Sequence, residues 1–62
     1  MDKSILVMLR DEIGIPVQTI ANEMGVGRQT VYRMLEGQAW TPTNTEKLNS
    51  YLERLRSFLK KI

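Results

Sequence analysis

The chain has 62 residues, no cysteine and no histidine, so it holds one domain at most and excludes disulfides and the common Cys/His zinc sites. Nine Lys and Arg against seven Asp and Glu leave a net charge of +2, too little to indicate a nucleic-acid partner by itself. With no phosphate-cradling glycine loop and no acids paired in an apolar pattern, an enzyme is not expected, nor is a metal, a cofactor or a small-molecule ligand.

No apolar run approaches the ~20 residues of a membrane span, and "SILVML" is too short for a signal-peptide core. A cytoplasmic protein without a membrane partner is the expectation. Residues 1–16 carry −1, residues 17–45 are neutral and residues 46–62 carry +3. That C-terminal excess suits the negative end of a helix dipole.

Asp2 can cap a first helix, whose Ile5, Met8, Leu9 and Ile13 recur at three and four and should form its inner face. Gly14 ends it, because a left-handed residue costs glycine little. Pro16 suits the start of a second helix, with Ile20, Ala21 and Met24 inward. Gly25 and Gly27 flank Val26 in a turn. A third helix runs from about Arg28 to Leu35, burying Val31 and Met34, and Gly37 stops it.

The loop "QAWTP" follows, and then "TNTE", Thr43 to Glu46, reads as a capping box opening a fourth helix. Leu48, Leu52, Leu55, Leu59 and Ile62 step along it by four and three, with Tyr51 and Phe58 beside them. No segment alternates with period two. The chain is all-α, with four helices, or five if the last one kinks near Ser57.

The third helix carries the pattern of most chemical interest. Arg28, Gln29, Tyr32 and Arg33 form an outward stripe opposite Val31 and Met34, with a single acid, Glu36, at the far end. Arginine can donate two bonds to guanine O6 and N7, and glutamine can pair with adenine N6 and N7.

The stretch "VQTIANEMGVGRQTVYRMLEG", Val17 to Gly37, resembles the helix-turn-helix of the phage Cro/repressor family, also called the xenobiotic-response-element type. Alanine at 21 lets two helices approach steeply, and glycine at 25 supplies the turn. The resemblance implies a lambda-repressor-like DNA-binding domain with the motif at helices 2 and 3. The second helix of the motif then enters the major groove of double-stranded DNA. Arg28, Gln29, Tyr32 and Arg33 read bases, with Gly27 and Thr30 beside the backbone and Gln18 on a phosphate. Thr41, Thr43, Asn44 and the free N–H groups opening helix four are further backbone candidates, with Lys47 the nearest cation.

The function so implied is that of a small Cro-like repressor of phage or mobile-element origin, bound as a homodimer to an inverted-repeat operator. Phe58, Leu59 and Ile62, beyond the reach of a small core, are the dimer candidates together with Trp40, while Leu48, Leu52 and Leu55 face inward. Two alternatives stand beside this reading. One is an antitoxin-like autoregulator. The other is a helix-turn-helix reused as a protein-interaction module, with Trp40, Tyr51 and Phe58 as its patch.

Overall fold

The computed structural model describes residues 3–60, which form four consecutive helices. The Asp2 cap, Lys61 and Ile62 lie outside the described residues. The first helix begins as α1 (Ser4–Val7) and continues as a π-helical segment, Met8–Ile13. There follow α2 (Val17–Met24), α3 (Arg28–Leu35) and α4 (Pro42–Lys60). Among the described residues, no helix is long and apolar enough to cross a membrane.

The π-segment corrects the expected inner face of the first helix. Leu6 and Leu9 are buried, whereas Met8 is 45% exposed and Ile13 59%. A π-helix closes its bonds between residues five apart, so each residue turns through less than in an α-helix and the three-and-four stripe slips. The Leu9 carbonyl shows this directly, accepting from Gly14 N–H and, at 2.8 Å, from Ile15 N–H. Gly14 sits at φ 86° and ends the helix as expected.

The α2–turn–α3 unit forms as the sequence predicts. Pro16 is extended before Val17, and its carbonyl accepts the Ile20 N–H at 3.1 Å. Val17, Ile20, Ala21 and Met24 are all buried. At the end of α2, Gly25 N–H donates to Asn22 O (3.2 Å) and Val26 N–H to Ala21 O (3.0 Å), with Gly25 at φ 75°. That is a Schellman closure, and half-buried Val26 supplies its usual apolar contact. The end of α3 repeats it through Gly37 N–H to Met34 O (3.0 Å) and Gln38 N–H to Arg33 O (2.8 Å).

The start of α4 differs from expectation. The cap is Thr41, whose Oγ1 accepts the Asn44 N–H at 3.1 Å, and Pro42 occupies the first helical position. Proline is suited there because its φ is already helical and its missing N–H had no intrahelical partner. The helix therefore starts before Thr43, and the Thr43–Glu46 capping box does not form. Asn44 Nδ2 donates to Ala39 O at 2.9 Å, across a loop in which Ala39 holds φ 59°.

Leu48 and Tyr51 of α4 complete a core built on Leu6, Leu9, Ile20, Ala21, Val31 and Met34, and no described polar or charged residue is buried in it. Leu52 and Leu55 pack half-buried against the core. Phe58 (62% exposed) and Leu59 (65%) run past it, as the sequence predicts. Arg54 fastens α4 to the end of α2. Its Nη2 donates to the Glu23 carbonyl at 2.6 Å, lies 3.9 Å from the Glu23 carboxylate, and its guanidinium sits 5.9 Å from the Tyr51 ring centroid.

Candidate nucleic-acid interface

The outward face of α3 carries Arg28, Gln29, Tyr32 and Arg33, all exposed, while Val31 and Met34 opposite them are fully buried. Burial of those two therefore fixes which way the stripe points. The state of the guanidiniums sorts the arginines. Arg10 is held by Asp11 at 2.8 and 3.1 Å, and Arg54 by Glu23. Among the described residues, Arg28 and Arg33 make no ion pair and the Gln29 amide no side-chain hydrogen bond. Their full donor sets face outward.

Gly27 caps α3 without offering a side chain to it. Its backbone is extended, with φ −75° and ψ 154°, and an added Cβ would meet nothing within 4 Å. The fold therefore does not require glycine here, and a Ser or Asp cap would serve the helix better. What the glycine does provide is bare access to the first turn of α3.

The other predicted backbone contacts are placed unevenly. Gln18 lies exposed on α2 with its Nε2 donating to Asn22 Oδ1 at 3.0 Å. Thr30 is half-buried, its N–H bonded to the Gly27 carbonyl at 3.0 Å. Thr41 and Asn44 are both engaged in the start of α4. Thr43 and Lys47 line a shallow groove with Glu23, Met24 and Arg54, and no α3 residue borders it. Gly27, Arg28, Gln29, Tyr32 and Arg33 thus share the exposed start and outer face of α3, while Thr43 and Lys47 line the groove beside the end of α2. Of the dimer candidates, Phe58 and Leu59 are exposed, whereas half-buried Trp40 donates its indole N–H to the Met34 carbonyl at 3.0 Å.

Arg10, on the π-segment, lies within the electrostatic field of the Tyr32 phenol. The Asp11 hydrogen bond, and after it the nearby acidic and phenolic groups, hold its guanidinium more firmly protonated than usual. The same bond holds the Asp11 carboxyl below its ordinary range.

The family model for the helix-turn-helix domain of resolvase matches residues 4–38, more than half of the chain. The chain belongs to the resolvase-type helix-turn-helix family. This overturns the resemblance to the Cro/repressor family. The Ala21-to-Gly25 spacing serves any helix pair that crosses steeply after a tight turn, so it does not separate the two families. The chain also departs from the repressor pattern: Pro16 and Val17 stand where that pattern places a polar cap and a glutamine, and Leu35 stands in place of its glutamate. The fold expectation narrows accordingly to an all-α, four-helix domain with a resolvase-type motif at α2 and α3. No curated protein and no solved structure matches the chain.

Proposed function

We propose that this resolvase-type domain is a sequence-specific double-stranded DNA-binding regulator. In this reading α3 lies in the major groove, and the protein acts in the cytoplasm by occluding a promoter rather than by catalysis. The observation that carries it is the unpaired donor set of Arg28, Gln29 and Arg33 on the outer face of α3. Two arginines free of acidic partners can each make a bidentate contact to guanine, and Gln29 to adenine. Tyr32 adds a ring suited to a thymine methyl, and Gly27 lets a backbone phosphate approach the first turn.

One copy reads a single half-site, so a homodimer on an inverted repeat, with half-site centres about 34 Å apart, supplies the missing specificity. The exposed Phe58 and Leu59 at the end of α4 support such pairing. The resolvase family membership favours a second reading, in which the domain docks a recombination complex on its site. Selection of bound duplexes from random DNA tests the shared claim. One enriched sequence should emerge, with log affinity falling linearly in log salt. No enrichment, or an association indifferent to salt, overturns it.

A further inference from the structure

The π-segment leaves Met8 and Ile13 outward, and they belong to a continuous apolar strip. They border one shallow groove along the outer face of the first helix and a second one against the end of α4, where Leu55 and Leu59 join them. Met8, Ile13 and Leu59 are 45%, 59% and 65% exposed. A contiguous patch of this kind, rather than scattered single residues, marks an interaction surface.

The charges beside the strip are divided. Asp11 and Glu12 stand on the first-helix side, with Lys3 at its far end, and Arg56 and Lys60 on the α4 side. Asp11 is already bound by Arg10. Among the described residues Glu12, Arg56 and Lys60 make no ion pair. A basic foreign helix would oppose the α4 rim, and an acidic one would oppose Glu12. A second copy, related by a two-fold axis running along the strip, sets each Glu12 against the partner's α4 rim, and every such contact occurs twice.

We propose that this strip is a homodimer interface, formed by Met8, Ile13, Leu55 and Leu59 and registered by Glu12 against Arg56 and Lys60 of a second copy. The inference rests on the dimer reading above and deepens it by naming the face. No α2 or α3 residue lines the strip, so pairing leaves the DNA-facing stripe of both copies uncovered. Adjoining half-sites on DNA bring two copies together and reinforce the association.

Sedimentation equilibrium of the full chain over a wide concentration range tests this, with circular dichroism confirming that each variant keeps its helices. The parent should show a monomer–dimer equilibrium. Ile13→Asp and Leu59→Asp should each weaken it by about tenfold or more, since each sets a charge in an apolar seam. Glu12→Arg should also weaken it, and the double variant Glu12→Arg with Arg56→Glu should recover most of the loss. If Phe58→Asp abolishes the dimer while Ile13→Asp leaves it intact, the dimer stands but this face is wrong. A parent that stays monomeric at all concentrations, free and on DNA, overturns both this interface and the dimer, and leaves DNA binding to its own selection test.

Discussion

Gly25 and Gly27 stand two residues apart in one turn and answer to different physics. Gly25 sits at φ 75°, where a side chain collides with its own backbone, although the space around it is open. Gly25→Ala should cost about 1 kcal/mol, the left-handed penalty less the entropy alanine removes from the unfolded chain. Gly27→Ala, on extended backbone in open space, should leave stability nearly unchanged. Urea denaturation of the two variants separates them. Tyr51 gives a prediction of another kind. Burial, with help from the Glu23 carboxylate and against Arg54, raises its phenol above the ordinary value of 10.0. The folded state then holds that proton more tightly than the unfolded state does. The corresponding stability is complete below about pH 10 and is lost as pH climbs through the raised value. Denaturation midpoints should therefore fall less steeply on the alkaline side in Tyr51→Phe than in the parent.

At the scale of elements, Arg54 is the polar tie between α4 and α2. Its ion pair with Glu23 is long and exposed and contributes little. The bond to the Glu23 carbonyl, at the negative end of α2, is the stronger contact. Arg54→Ala should destabilise the fold by ~0.5–1 kcal/mol, read by thermal melting, and Glu23→Gln by less. Helix limits were legible wherever local chemistry decides them. Gly14, Gly25 and Gly37 end their helices because only glycine takes φ near 80° cheaply. The start of α4 was not legible, because Thr41 and Thr43 are both competent caps, and Pro42, fit for the first helical position, is what decides between them. The inner face of the first helix was not legible. Nothing in "MLRDEI" announces a π-helix, and the slipped winding that exposes Met8 and Ile13 comes from how the helix seats on the core.

For the whole molecule, the sequence carried the direction of the α3 stripe, because the burial of Val31 and Met34 follows from spacing alone. It did not carry which arginines are free. Arg10 and Arg54 look no different from Arg28 and Arg33 in composition, and only folding commits the first two to Asp11 and Glu23. The family, too, lay beyond the turn itself, since one steep helix crossing looks like another until the match is extended over residues 4–38. Base reading by the outer face of α3 is tested most directly by the affinity of Arg28→Ala and Arg33→Ala for the selected duplex and for scrambled duplexes, at fixed salt. Each variant should lose ~1–3 kcal/mol on the selected duplex, with discrimination relaxed at one base position and a smaller loss on scrambled DNA. Unchanged affinity and unchanged sequence preference in both variants would contradict it.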